Sequence, residues 1–261
     1  MLEPLSSELL SATKGDYSIP IFAIFAQAWH CIKGIKKALW GGFFLFLIII
    51  VSLYIFFGLL LTVCNILHFY HLRVLCQFFA GGVISIFHIS LSISLIFLAL
   101  RHLRHQAIRA NMVFEVRKNW EPLALISIAI YLLNEIFFLG ACFILQKLID
   151  SGSQHVLLIG ELILIALFVV LYMYLTLLVT MTMLLIIDKK MQLRDSLKIA
   201  CISINQHWVV NIVLLMLASL LLMLMSGITL GIGLIWFFPL FFLIPAIQYQ
   251  QIFCKGNVSR N

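Results

Sequence analysis

The sequence predicts an all-α, polytopic membrane helix bundle, in which six helices cross a bilayer and amphipathic helices lie at its surface. Its 261 residues are 64% hydrophobic and only 10% charged, with a mean hydropathy of +1.14. A soluble domain is about half apolar and about a quarter charged, so lipid must solvate much of this chain. Continuous apolar runs also recur at the length of roughly 20 residues that crosses a ~30 Å hydrocarbon core as a helix.

We predict six spans and expect helices, because the strands of a membrane β-barrel would alternate between apolar and polar residues. The predicted spans are residues 42–63, 75–99, 123–145, 156–187, 208–226 and 229–252. The fourth run is longer than an upright helix needs, so we expect it to tilt or to project beyond the bilayer. No connection is long enough for a soluble domain. Residues 1–261 therefore form one integral membrane domain, with a flexible N-terminal segment predicted at 1–19.

The Lys and Arg residues predict the orientation of these spans. Fifteen of the 17 fall before span 1, between spans 2 and 3, between spans 4 and 5, or after span 6, and only Arg73 and Lys147 fall on the other side. The positive-inside rule makes the first side cytoplasmic, with both termini inside. The formal charge of +7 is thereby accounted for by topology, so we expect no nucleic-acid partner. We predict a location in a bacterial cytoplasmic (inner) membrane.

Three basic segments repeat one plan, in which an amphipathic stretch is followed by a tryptophan and then by two spans. They are AWHCIKGIKKALW, ending at Trp40, AIRANMVFEVRKNW, ending at Trp120, and DSLKIACISINQHW, ending at Trp208. Apolar residues recur about every four positions, which predicts helices in the headgroup layer with basic residues toward anionic lipid. Two interpretations stay open: three helix-hairpin repeats, or the basic loops and interfacial tryptophans of any multispan protein.

The last two spans resemble a known group of proteins. The phrase DSLKIACISINQHWVVNIVLL joins a helix, a Lys, an Asn and a Trp to a span, and GIGLIWFFPLFFLIPAIQYQQIF has small glycines, a mid-helix proline, and a Tyr and a Phe near its end. Those residues are Gly231, Gly233, Pro239, Tyr249 and Phe253. The chain thereby resembles bacterial six-span proteins that include the membrane domain found with glycerophosphoryl diester phosphodiesterases, and related families of unassigned function. The resemblance implies a six-helix membrane protein without a phosphodiesterase site of its own.

The third span carries Asn134 and Glu135 near its middle, where an ionisable group is expensive and marks a functional candidate. His88 falls at a matching depth in the second span, which runs the opposite way, so we expect the two side chains to share a level of the membrane. A Glu135–His88 pair has two interpretations: structural hydrogen bonding between helices, or a proton- or solute-coupled role. Glu135, His88 and Asn134 together form the predicted intramembrane polar site.

The basic segments supply the predicted contacts with anionic lipid headgroups. These residues are Lys33, Lys36, Lys37, Arg101, Arg104, Arg109, Lys189, Lys190, Arg194 and Lys198. We expect membrane lipids to be the main partners. A homo-oligomer or a membrane-protein partner stays open, because Gly227 and Gly231 form a GxxxG pair that would allow close packing with span 5 or with a second copy.

The connection between spans 1 and 2 places Cys64, His68, His71 and Cys76 close together in sequence. Their spacing matches no common zinc pattern, so they are weak metal candidates. Two free thiols or a Cys64–Cys76 disulfide are the alternatives. We expect no metal and no cofactor.

The chain has no recognisable catalytic motif, so we do not expect an enzyme. The leading functional hypothesis is a lipid-associated accessory or scaffold protein whose basic interfacial helices hold anionic headgroups. The alternative is a small proton- or solute-coupled transporter or channel that uses Glu135 and His88.

Overall fold

The computed structural model describes residues 7–150 and 154–254, and these residues form helices joined by short turns. Six helices are long and apolar enough to cross a membrane: α3 (Lys36–Ile66), α4 (Tyr70–Leu103), α5 (Trp120–Asp150), α6 (Gln154–Lys189), α8 (Trp208–Ile228) and α9 (Leu234–Phe253). The shorter elements are α1 (Ser7–Lys14), α2 (Ile21–Cys31), a 3-10 helix (Ala110–Asn119) and α7 (Leu193–Gln206). The all-α polytopic class predicted from the apolar runs is confirmed.

Five of the six predicted spans lie inside their helices, and the sixth begins later than predicted. Leu230 and Gly231 have φ values of 50° and 89°, so the chain turns where the sequence pattern placed the first turn of span 6. Gly227 and Gly231 therefore lie on a helix and on a turn rather than on one helical face. A Cβ added at either glycine would contact nothing within 4 Å, so the GxxxG pair supports no packing inside the described protomer.

The buried core is concentrated at one end of the molecule. Fully buried side chains come from the last turns of α4 (Leu95, Leu100), the last turns of α6 (Met181, Leu185) and α9 (Leu243). We call this the basic end, because Lys36, Arg101, Arg104 and Lys189 lie there. The most apolar stretch of α3 is only 11% buried, whereas that of α9 is 61% buried. Apolar helices left this exposed require lipid or another protein against them.

Helix α9 lies across the basic end of the α3–α4 hairpin. Its first turns meet the first turns of α3, where Phe238 stacks on Trp40 with ring centroids 4.6 Å apart. Its last turns meet the end of α4, where Tyr249 and Arg104 share a carboxylate partner. Since α3 begins where α4 ends, both ends of α9 lie at the same end of that hairpin.

The N-terminal segment differs from the predicted flexible one. Residues 7–14 form α1, whose Leu9 and Ala12 are buried, and the Lys189 Nζ atom lies 2.9 Å from a carboxylate oxygen of Glu8. The Tyr17 hydroxyl donates to the Ser203 carbonyl of α7 at 2.6 Å, and burial raises the pKa of Tyr17. The described part of this segment is therefore docked on the basic end.

The structure reproduces only in outline the repeat of an amphipathic segment, a tryptophan and two spans. Trp120 and Trp208 are the first residues of α5 and α8, but Trp40 lies inside α3. The preceding segments differ, being two α-helices and a 3-10 helix. On α7, Leu197 is 42% exposed, and the buried face combines Ile199 and Ile204 with small residues such as Ala200 and Ser203. This helix packs against α6 rather than presenting its predicted apolar stripe.

Two glycines of α3 allow a direct test of this packing. A Cβ at Gly42 would overlap the Val113 side chain of the 3-10 helix, whereas a Cβ at Gly58 would meet nothing within 4 Å. We expect Gly42→Ala to destabilise the protein by about 1–3 kcal/mol through overpacking. Gly58→Ala should stabilise it by up to about 1 kcal/mol, since alanine favours the helix. The thermal unfolding midpoint in detergent measures both, and equal shifts would contradict this docking of the 3-10 helix on α3.

Candidate functional site in the membrane-spanning region

An open cavity of about 250 Å³ lies between α4, α5 and α6, with one residue from α3 at its edge. We call it the polar cavity because polar side chains interrupt its otherwise apolar wall, and several of them, including His88 and Thr176, are exposed at its mouth. Its polar lining residues are Tyr54, Ser85, His88, Ser92, Asn134, Tyr172, Thr176 and Thr180. Most of them come from the interior of their helices, and Thr180 adjoins the last turns of α6. The cavity therefore lies at the depth where polar side chains are rarest and most often functional.

Helical spacing explains how two separate polar stripes meet at this cavity. On α4, Ser85, His88 and Ser92 are separated by three and four residues and so share one face. On α6, Thr176 and Thr180 are four residues apart and face them. Asn134 of α5 is the third polar contribution to the cavity wall.

Three of the six hydroxyl groups of the cavity, those of Ser92, Thr176 and Thr180, are already used as donors. Ser92 donates to the His88 carbonyl at 3.2 Å, Thr176 to the Tyr172 carbonyl at 2.8 Å, and Thr180 to the Thr176 carbonyl at 2.7 Å. Their remaining lone pairs are acceptors. Within the described residues, the His88 imidazole and the Asn134 amide have no hydrogen-bond partner. The cavity thus offers hydroxyl acceptors together with an amide and an imidazole that can donate or accept.

Glu135 does not line this cavity. Its carboxyl adjoins the Tyr131 phenol one helical turn earlier on α5, and the Tyr131 ring fills the space beside Gly81 of α4, where a Cβ would overlap it. The ion pairs of the described residues do not include one between Glu135 and His88. The structure therefore brings His88 and Asn134 together and directs Glu135 to Tyr131. The Thr176–Thr180 spacing within span 4 was the signal that the sequence analysis missed.

A second polar group, the Arg104 cluster, lies at the basic end and comprises Arg104, Asp188, Tyr249 and Cys254. The Arg104 Nη2 atom donates to Asp188 Oδ2 at 2.8 Å, and the Tyr249 hydroxyl donates to the same oxygen at 2.9 Å. The hydrogen bonds with Asp188 raise the pKa of Arg104, so it stays cationic. Burial raises the pKa of the Cys254 thiol, so it stays neutral near pH 7.

The Arg104 cluster joins the carboxyl ends of three helices, α4, α6 and α9. Their dipoles place partial negative charge at this point, which favours a cation there. A carboxylate alone would be repelled, so Asp188 depends on Arg104. Asp188 has no sequence signature, because its partner lies 84 positions away.

The predicted lipid contacts divide into two groups. Four are engaged within the chain: Arg104 as above, Arg101 with Glu115 at 2.6 Å, Lys189 with Glu8, and Lys36 over the Trp236 ring at 4.7 Å. The other six side chains are exposed: Lys33, Lys37, Arg109, Lys190, Arg194 and Lys198.

The Cys64–Cys76 region offers no metal centre within the described residues, where no group of three or more ligands is close enough to hold an ion. Both thiols are free, and the Cys64 and Cys76 side chains are neighbours. His68 occupies the turn between α3 and α4, with φ at 55°. The thiol pair is therefore close in space, and His68 and His71 do not complete a ligand set.

The fold and these sites define an α-helical membrane protein with six helices long enough to span a bilayer. Comparison of the chain with family models, with curated proteins and with solved structures finds no match. The resemblance in spans 5 and 6 therefore stays a prediction.

The Arg104 cluster predicts a difference between two ion pairs. The Asp188 side chain is 9% exposed and Glu115 is 38% exposed. Asp188→Asn leaves the Arg104 charge uncompensated. We expect the free energy of unfolding to fall by more than the ~1 kcal/mol typical of an exposed ion pair, and toward the ~3–5 kcal/mol typical of a buried one. Glu115→Gln, the matched control at Arg101, should cost less than about 1 kcal/mol. Unfolding in detergent measures both variants, and a larger effect at Glu115 would show that Asp188 is not the stabilising partner.

Proposed function

We propose that this protein binds a small, uncharged, hydrogen-bonding solute in the polar cavity and lets it pass across the membrane. The observation that supports this is the gathering of eight hydrogen-bonding side chains around one cavity in the interior of four long apolar helices. Lipid gives such groups no compensation, so a purely structural bundle has little reason to collect them.

The chemistry of the lining supports the solute class. The lining has no Lys, Arg, Asp or Glu, so an ionic solute would lose its hydration without gaining a counter-charge. At about 30 Å³ per water molecule, the volume corresponds to roughly eight waters. It lies just below the ~300 Å³ at which typical ligand sites begin. A solute of a few heavy atoms that both donates and accepts hydrogen bonds fits these limits.

We also propose an orientation of the protein in the membrane. The exposed cations gather at the basic end, which supports its placement in the cytoplasm, with both termini there, in the inner membrane of a bacterium. His88 retains a place in the site, but the proton-coupled Glu135–His88 pair loses support because Glu135 adjoins Tyr131.

A second candidate function is the lipid-associated accessory role. It is supported by the six exposed basic side chains at Lys33, Lys37, Arg109, Lys190, Arg194 and Lys198, because clustered cations near a membrane surface attract anionic headgroups. This role and solute passage use different parts of the molecule. Membrane lipids are the proposed partners in both cases.

Water access to the cavity is the first test. In a background with the six native cysteines replaced, Asn134→Cys should react with a charged methanethiosulfonate reagent, because the reactive thiolate forms only where water reaches it. Leu133→Cys is the matched control, since Leu133 is 42% exposed on the same helix and points away from the cavity. The rates are measured on protein in liposomes. If Asn134→Cys reacts as slowly as Leu133→Cys, the cavity is dry and the proposal fails.

Solute passage is the second test, with urea and glycerol as probes in liposome swelling. We expect protein-containing vesicles to swell faster than protein-free ones, and Thr176→Val to slow them several-fold by removing a hydroxyl from the lining. Thr62→Val is the matched control. The hydroxyls of Thr62 and Thr176 are both exposed and each donates to the fourth preceding carbonyl at 2.8 Å, but Thr62 does not line the cavity. Equal swelling with and without protein, or equal effects of the two variants, would contradict passage through this cavity.

A further inference from the structure

A second cavity, of about 400 Å³, lies between α3, α4, the 3-10 helix and α5. Its walls are mainly aromatic and aliphatic, with Phe46, Phe87, Phe114, Trp120 and Leu123 among the lining residues. Its volume falls within the ~300–1,000 Å³ range of small-molecule sites. We call it the apolar cavity.

The apolar cavity lies on the opposite face of α4 from the polar one. Phe87, Ser90 and Ser94 face it, whereas Ser85 and His88 face the polar cavity. The hydroxyls of Ser90 and Ser94 donate to the Ile86 and Ser90 carbonyls, each at 2.6 Å. The other lining residues are aromatic or aliphatic, so the cavity wall is suited to a hydrocarbon ligand.

The base of the apolar cavity is closed by specific packing. The 3-10 helix docks on α3 where Gly42 leaves room for Val113, and Phe114 stacks on Phe46 with ring centroids 5.7 Å apart. Phe114 and Trp120 are 39% and 61% exposed, so the cavity opens at their edge to the surroundings of the helices. Those surroundings are lipid, and Trp residues favour the membrane–water interface.

We propose that the apolar cavity holds one acyl chain of an anionic phospholipid from the leaflet at the basic end. The headgroup would lie near Arg109 and Lys37, both exposed. Arg109 directly precedes Ala110, which adjoins Gly41 of α3, and Lys37 lies about one helical turn before Gly41. These two cations therefore lie near each other at the basic end, beyond the residues that line the cavity.

The charge of the headgroup decides the selectivity of this site. A lipid tail gains little free energy by leaving one hydrocarbon environment for another. The tail therefore only has to fit the cavity, and the cations decide which headgroup is preferred. The site should therefore favour an anionic over a zwitterionic lipid with the same acyl chains. The two cavities share no lining residue, so the test of the lipid site does not require solute passage.

The test uses the full chain in liposomes of phosphatidylcholine that contain a trace of phosphatidylglycerol with a diazirine in its acyl chain. After photolysis, mass spectrometry should find the label concentrated on peptides that line the apolar cavity. Ala124→Phe fills the cavity and should reduce this label several-fold. Ala129→Phe, the same change at an exposed alanine of α5, should leave it unchanged.

A double variant, Lys37→Gln with Arg109→Gln, keeps the cavity intact and tests the headgroup if Ala124→Phe does not fold. It should lower labelling by the phosphatidylglycerol probe to the level of a phosphatidylcholine probe with the same diazirine chain. Labelling spread evenly over the lipid-facing helices, or equal labelling by both probes of the unaltered protein, would overturn the proposal. Failure of the urea and glycerol test would leave this result unaffected.

Discussion

Hydrocarbon cannot hydrogen-bond, and this constraint decides how the polar groups of the long helices are used. Ser92, Thr176 and Thr180 donate to carbonyls of their own helices. The buried amides of Gln248 and Asn211 pair at 2.7 Å and tie α9 to α8. His88 and Asn134 have no hydrogen-bond partner among the described residues, and the same is true of buried atoms of Trp40 on α3 and Gln251 on α9. His88 and Asn134 differ from those two in lining the same cavity.

The same constraint separates the molecule into two regions. At the basic end, the last turns of α4 and α6 pack with α9 and α7 around fully buried side chains such as Leu100 and Met181. Toward the other end, α3 to α6 expose apolar residues such as Ile136 and Phe79, which are 71% and 66% exposed. Lipid can cover such side chains at no cost, so the hairpins need not form a tight core. The polar cavity lies between these less tightly packed helices, whereas the apolar cavity lies at their border with the basic end, where the 3-10 helix packs on α3.

Much of the fold followed from the sequence, because length and apolarity alone decide whether a helix can span a membrane. The site did not follow in the same way. Adjacent residues of a helix point about 100° apart, so Asn134 faces the cavity and Glu135 faces Tyr131. Their depth in the membrane is nearly the same, so depth does not predict which of the two side chains reaches the cavity. Asp188 was missed because an ion pair between residues 84 positions apart leaves no local pattern. The position of α9 across the α3–α4 hairpin was also not predictable, since an apolar run specifies a helix but not its packing angle.

Helix α4 is the shared wall of the two cavities, and this has a thermodynamic consequence. Rotation of α4 about its axis would move His88 out of the polar cavity and Phe87 out of the apolar one together. Two contacts oppose that rotation, the ion pair of Arg104 with Asp188 just past the end of α4 and the Tyr131 ring against Gly81 in its first half. A ligand that binds one rotational position of α4 more tightly stabilises the same position for the other ligand, because such coupling is reciprocal. An acyl chain against Phe87 would keep His88 turned toward Asn134. We therefore expect lipid and solute to bind with positive cooperativity, even though they share no contact residue.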